Sequence, residues 1–107
     1  MGQTFCNSDW ELFCSRLPSW QEAYMDKLNQ AYIALLSGDG PPSEKFWALN
    51  QRIREDRKSP GVQLERRRST MMESLIALIR YEAITLDDLD GFSEELTEKV
   101  RTIITRD

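Results

Sequence analysis

The stretch from Met71 to Ile104 constrains the fold of this chain of 107 residues more than any other part. Its first part has apolar residues at helical spacing: Met71, Met72, Leu75, Ile76, Leu78 and Ile79. An acidic segment, residues 84–91, follows, and a second stripe then runs through Leu96, Val100, Ile103 and Ile104. Such wide apolar faces must be covered by other parts of the chain. The pattern predicts two helices that fold back on each other as a hairpin.

Helix-capping residues fix the predicted corner of this hairpin. Thr85 and Asp88 have the spacing of a capping box, in which each side chain bonds the backbone N–H of the other. Gly91 suits a left-handed stop, and Ser93 is placed to cap the last helix, followed by two glutamates in its first turn. The corner is therefore predicted to be a tight turn with a defined entry into the last helix.

The rest of the chain also has helical periodicity. A first helix is predicted from a Ser8 cap to Leu17, where Pro18 ends it. The other predicted helices run over 20–37 with a Ser19 cap, over about 44–58 with a Ser43 cap, and over about 62–82. No segment alternates with a period of two. The fold class is therefore all-α: a compact antiparallel bundle of four to five helices with a C-terminal helical hairpin, forming a single domain over 1–107.

Composition places the chain among globular proteins. It has 40% hydrophobic and 30% charged residues, whereas disordered chains have few apolar groups. No apolar run approaches the ~18 residues of a membrane span. Residues 1–7 read as a lead-in, without the basic and apolar regions of a signal peptide. The expected location is the cytoplasm, without membrane association.

Catalytic and metal-binding patterns are weak. The chain has no histidine, and its two cysteines, Cys6 and Cys14, are expected to be free thiols, with Cys14 in the core. Asp88, Asp90 and Gly91 match part of a calcium-binding EF-hand loop, but its first and last ligand positions hold Leu86 and Thr97. We therefore expect neither metal nor other cofactor, and no enzymatic activity.

Basic residues concentrate between positions 52 and 68. Six of them form what we call the basic belt, a candidate interaction surface: Arg52, Arg54, Arg57, Lys58, Arg66 and Arg67. The belt supports one hypothesis, association with nucleic acid. Acidic residues interrupt it and no aromatic residue follows Trp47 until Tyr81, so solvation or pairing with the acidic C-terminal segment is favoured. Arg68 falls beside the apolar stripe, and we expect it to form a structural ion pair with a carboxylate of another helix.

Apolar residues outside the main stripes support a second hypothesis, binding to another protein. These are Leu12, Ile33, Trp47 and Leu78, and Trp47 is a candidate interaction residue. Asn50 falls on the apolar stripe with Phe46, Leu49 and Ile53, where we expect a buried, hydrogen-bonded amide. The leading interpretation is a small interaction or regulatory protein, with monomer and homodimer both open and core packing as the other explanation of the extra apolar residues.

Residues 75–104 resemble the short helical hairpins called SHOCT domains. The similarity lies in the apolar run Leu75–Ile79 followed by the Ile-Thr-Leu-Asp-Asp-Leu corner at 84–89. Glu82-Ala83 stands where those hairpins have a glycine, and Gly91 adds a break. The resemblance covers under a third of the chain and implies a role in interaction or oligomerisation.

Overall fold

The computed structural model describes residues 6–106 and contains four α-helices and two short 3₁₀ helices. The α-helices are α1 (Asn7–Ser37), α2 (Pro42–Asp56), α3 (Met71–Arg80) and α4 (Glu94–Thr105). The 3₁₀ helices span Arg68–Thr70 and Leu86–Leu89. No strand occurs within residues 6–106, which confirms the all-α fold class. Residues 1–5 of the predicted lead-in lie outside the described residues, and α1 already begins at Asn7.

Helix α1 continues through Pro18, so the predicted break there is wrong. A proline inside a helix removes one hydrogen bond and costs about 3 kcal/mol. Packing on both sides of the proline outweighs this cost, because Phe13 and Leu17 are buried before it and Trp20 packs on the core after it. The predicted caps at Ser8 and Ser19 are also wrong, since Ser19 lies inside the helix and Cys6 precedes its first residue without a side-chain cap.

The hydrophobic core joins the first half of α1 to the C-terminal hairpin. Among residues 6–106, the buried apolar side chains are Phe13, Leu17, Met71, Leu75, Ile76, Leu78, Ile84, Leu89, Phe92, Leu96 and Val100. Aromatic rings extend this contact, since Trp20 lies 6.5 Å from Phe13 and 6.4 Å from Phe92 between ring centroids. We call this part, residues 7–24 and 59–106, the head.

The second half of α1 and α2 form an antiparallel helical hairpin, which we call the arm (residues 25–56). Met25, Leu28, Tyr32 and Leu35 of α1 and Leu49 of α2 are half-buried, and no residue of the arm is fully buried. The compact bundle predicted from the sequence requires the helices at 20–37 and about 44–58 to lie against the C-terminal hairpin. The arm helices instead pack against each other, and only the start of the segment 20–37 contributes to the core.

The arm makes the molecule long. Its principal extents are 53 × 27 × 25 Å, and its radius of gyration is 16.6 Å, against about 13 Å for a compact domain of this length. The 31 residues of α1 account for the long axis, because a helix of that length spans about 46 Å.

Residues 57–67 return the chain from the arm to the head. We predicted a helix from about Val62, but residues 63–67 are not helical, and the chain reaches α3 through the 3₁₀ helix at 68–70. An extended residue covers about twice the length of a helical one, which this return requires. Ser59, Pro60 and Gly61 are buried, and a Cβ at Gly61 would lie only 2.4 Å from the Tyr24 ring.

The C-terminal hairpin and its caps are confirmed. Thr85 N donates to Asp88 Oδ2 at 2.8 Å within the capping box, and Ser93 Oγ accepts from Leu96 N at 3.3 Å. Gly91 has a φ of +96°, which suits glycine, and Glu82 after α3 has a φ of +62°. The turn into the corner therefore places a non-glycine residue in the left-handed region, where glycine is more usual.

Asp9 connects the first turn of α1 to the start of α4. Its side chain is buried, with Oδ1 accepting from Ser93 N at 2.8 Å and Oδ2 from Ser93 Oγ at 2.6 Å. Arg16, two turns further along α1, donates to the carbonyl oxygens of Asp88 and Asp90 at 3.0 and 2.5 Å. The start of α1 is thus fixed to the corner and to α4 by polar contacts as well as by the core.

The contact of Asp9 with Ser93 predicts a stability effect. Replacing Asp9→Ala leaves the half-buried N–H and hydroxyl of Ser93 without this acceptor, so the free energy of unfolding should fall by about 2–3 kcal/mol. Chemical denaturation followed by circular dichroism measures this value. Glu11→Ala, at an exposed position on the same helix, is the control and should change it by less than about 0.5 kcal/mol. Equal effects of both substitutions would contradict a special role for Asp9.

Candidate interaction surface

Large apolar side chains are exposed mainly on the arm. Among residues 6–106 the exposed ones are Ile33, Leu36, Phe46, Trp47, Ile53 and Tyr81. Only Tyr81 lies outside the arm. Phe46 and Trp47 have relative exposures of 62% and 64%, which is unusual for two adjacent aromatic residues. The five arm residues form a surface that we call the apolar strip.

Helical spacing places most of the strip on one side of the arm. Phe46 and Ile53 are seven residues apart on α2, and Ile33 and Leu36 are three apart on α1, so each pair shares a side of its helix. Ile53 and Met25 line the same groove between the two helices, and Met25, Ile33 and Leu36 follow one another at helical spacing. The strip therefore runs from the aromatic pair near the arm's tip towards this groove at its base.

The groove at the base of the strip has a volume of about 220 Å³. Its lining is mainly apolar and comes from α1, α2 and the returning chain: Met25, Leu28, Asn29, Tyr32, Ile53, Asp56, Arg57 and Val62. The groove extends the apolar surface of the strip towards the head.

Three contacts order the arm around the strip. At the tip, the rings of Phe46 and Trp47 meet edge to face, with 5.0 Å between their centroids. Near the base, Tyr32 OH donates to Asp56 Oδ2 at 2.5 Å, and the Arg52 guanidinium lies 6.0 Å from the centre of the Tyr32 ring. Burial, together with the hydrogen bond to Asp56, raises the pKa of Tyr32 to about 12.

The four apolar residues outside the main stripes differ in how deeply they are buried. Ile33 and Trp47 are exposed on the strip, whereas Leu78 is buried and Leu12 is half-buried against the core. Asn50, predicted to be a buried amide, is exposed between Phe46, Trp47 and Ile53. That prediction is wrong because the side of α2 that carries Asn50 faces away from α1.

Sequence reasoning missed Leu36 and assigned Phe46 and Ile53 to the core. A signal was present in α2, where Phe46, Trp47, Leu49 and Ile53 spread over more of the circumference than a single neighbouring helix can cover.

All six side chains of the basic belt are exposed. Lys58 pairs with Glu55 at 3.5 Å, and Arg67 pairs with Glu65 at 2.8 Å. Both pairs are local, so neighbouring acids neutralise part of the belt's charge. Arg68 is half-buried in the 3₁₀ helix at 68–70, and its ion pair with another helix stays a prediction.

Within residues 6–106, no group of three or more His, Cys, Asp or Glu side chains is placed to hold a metal ion. Cys6 is exposed, and Cys14 is half-buried against the core, both as free thiols. None of the helices in this part of the chain has the length and apolar character needed to cross a bilayer.

Comparisons with known proteins identify no relative of this chain. No protein-family model matches the chain, and searches of curated proteins and of solved structures find no match either.

The raised pKa of Tyr32 predicts how stability depends on pH. A tyrosine in an unfolded chain ionises near pH 10, whereas the folded protein holds this proton to about pH 12. The folded state therefore binds more protons between these values, so its free energy of unfolding should fall as pH rises through them. Tyr32→Phe should remove this part of the fall in the free energy of unfolding, measured by chemical denaturation at a series of pH values.

Absorbance of phenolate at 295 nm gives a second measurement. One of the three tyrosines should ionise late in the folded protein, and Tyr32→Phe should abolish that late step. Tyr81→Phe, at an exposed position, is the control and should retain it. If the late step survives in the Tyr32→Phe variant, another residue is responsible for it.

Proposed function

We propose that this chain is a protein–protein interaction module that acts by binding rather than by catalysis, with the apolar strip of the arm as its binding surface. The observation that carries the proposal is the clustering, on this one hairpin, of five of the six large apolar side chains that are exposed within residues 6–106. Scattered apolar residues on a surface are ordinary, whereas a contiguous group indicates a site that a partner covers.

The residue types in the strip suit a binding surface. Covering Phe46 or Trp47 removes from water the 62% or 64% of the residue that is exposed, which is worth about 1–2 kcal/mol for each. Aromatic residues are also the commonest energetic centres of protein interfaces. The two rings already contact each other, so a partner needs to order little before it gains this energy.

The architecture presents the strip to a partner. Phe13 and Ile33 lie on nearly opposite sides of α1, because twenty residues at 3.6 per turn leave them roughly 160° apart. The head packs on the side of Phe13, so the strip faces away from it. A two-helix arm with an open apolar side fits recognition by packing of helices in a groove.

Nucleic acid is the alternative partner, and the arm surface supports it less well. The five side chains of the strip are uncharged, whereas phosphate contacts need lysine and arginine. The basic belt supplies these, but Glu55 and Glu65 pair with two of its six residues. The local acids reduce the attraction to phosphate, and the protein partner is the better-supported proposal.

Site-specific photo-crosslinking in native cells tests the proposal. A benzophenone amino acid in place of Trp47 should give a discrete covalent adduct with protein, because the strip is covered when the partner binds. The same probe in place of Lys27, exposed on the other side of α1 and about 180° around the helix from Leu36, is the matched control and should give none. An adduct that nuclease removes, or no adduct from position 47, would contradict the proposal.

A further inference from the structure

We infer that the partner of the strip is a second copy of this chain, and that two arms pair side by side into a four-helix bundle. Both tips lie at the same end of this bundle, which we call the tip-to-tip arrangement. The inference rests on the proposed function and names the partner of the same surface. It is carried by the arm's incomplete packing and by charged residues that flank the strip.

The arm has the form of half a helical bundle. Its two antiparallel helices cover each other on one side only, and none of their residues is fully buried. Helices of this length derive most of their stability from tertiary packing of an apolar face. A second arm on the strip would build a four-helix bundle, in which each helix gains a second neighbour.

A two-fold axis parallel to the arms makes the strip complementary to itself. In that arrangement α1 of each copy lies against α2 of the other, and adjacent helices are antiparallel. Phe46 and Trp47 of one copy then lie at the level of Ile33 and Leu36 of the other, close to the tip. Ile53 lies near the level of Met25 of the other copy, since both are about eleven or twelve residues from the tip end of their helix. The heads point away from the strip and leave the two arms free to meet.

Charges beside the strip favour this pairing of α1 with α2. Glu22 and Asp26 share the side of α1 that carries Asn29 and Ile33, since 22, 26, 29 and 33 follow one another at helical spacing. Arg57 lines the groove on the side of α2 that carries Ile53. The two-fold arrangement brings the acidic side of each α1 towards the basic side of the other α2. A tip-to-base arrangement would place α1 against α1 and lose this complementarity.

Sedimentation velocity of the purified chain over a concentration series tests the inference first. The wild-type chain should form a dimer reversibly. The variant Phe46→Ser/Trp47→Ser should raise the dimer dissociation constant by at least about thirtyfold, since it removes the aromatic contacts near both tips. Tyr81→Ser, which removes the exposed apolar residue of the head, is the control and should leave the constant unchanged. Far-ultraviolet circular dichroism confirms that each variant is folded.

A charge exchange tests the arrangement of the two arms. Asp26→Lys and Arg57→Glu should each weaken their own homodimer, by about fivefold to tenfold, because like charges then meet at both symmetric contacts. A mixture of the two variants should form heterodimers at close to wild-type affinity. In the heterodimer one contact is native and the other has both charges exchanged. If the mixture dimerises as weakly as each variant does alone, the tip-to-tip arrangement is overturned.

The outcomes separate this inference from the proposed function. A wild-type chain that stays monomeric at all concentrations overturns the second copy as partner. If the crosslinker at position 47 still captures a different protein, the interaction function stands. If it captures nothing and the chain is a monomer, both proposals fail.

Discussion

Helix α1 runs through Pro18 without a break and thereby joins the head to the arm. A single helix supplies one wall of the head with its first half and one helix of the arm with its second. The energetic cost of an internal proline is offset because Phe13 and Leu17 on one side of it, and Trp20 on the other, pack on the same core. A break at this proline would uncouple the direction of the arm from the head.

This shared helix divides the molecule into a well-packed part and an open part. In the head, the buried carboxylate of Asp9 and the guanidinium of Arg16 attach α1 to the corner and to α4. In the arm, Tyr32 and Asp56 hold the two helices together near their base, while the large side chains at the tip stay exposed. The head is therefore the stable support, and the arm carries the surface that supports the proposed function.

Local sequence signals predicted the C-terminal half of the head well. The capping residues Thr85, Asp88 and Ser93 act within three residues of their partners, so their role follows from spacing alone. Pro18 and Asn50 were misjudged because their outcomes depend on tertiary packing. The stripe of Phe13, Leu17, Trp20 and Tyr24 keeps one helical phase across the proline, and this was the available signal for a continuous helix.

The candidate surface was predictable only in part. Trp47 and Ile33 stood out as apolar residues off the main stripes, whereas Phe46 and Ile53 looked like core residues because periodicity shows which residues share a side but not what covers that side. Asp9 was missed altogether, since its acceptor role depends on Ser93, which lies 84 residues away in sequence. Contacts of this kind cannot be found from local spacing.

Small-angle X-ray scattering of the Phe46→Ser/Trp47→Ser variant, at concentrations where it is monomeric, measures whether a continuous α1 holds the arm away from the head and leaves the strip open. The account predicts a radius of gyration near the 16.6 Å of this structure, slightly increased by hydration. A value near about 13 Å, that of a compact domain of this length, would show the arm folded onto the head and would contradict the account.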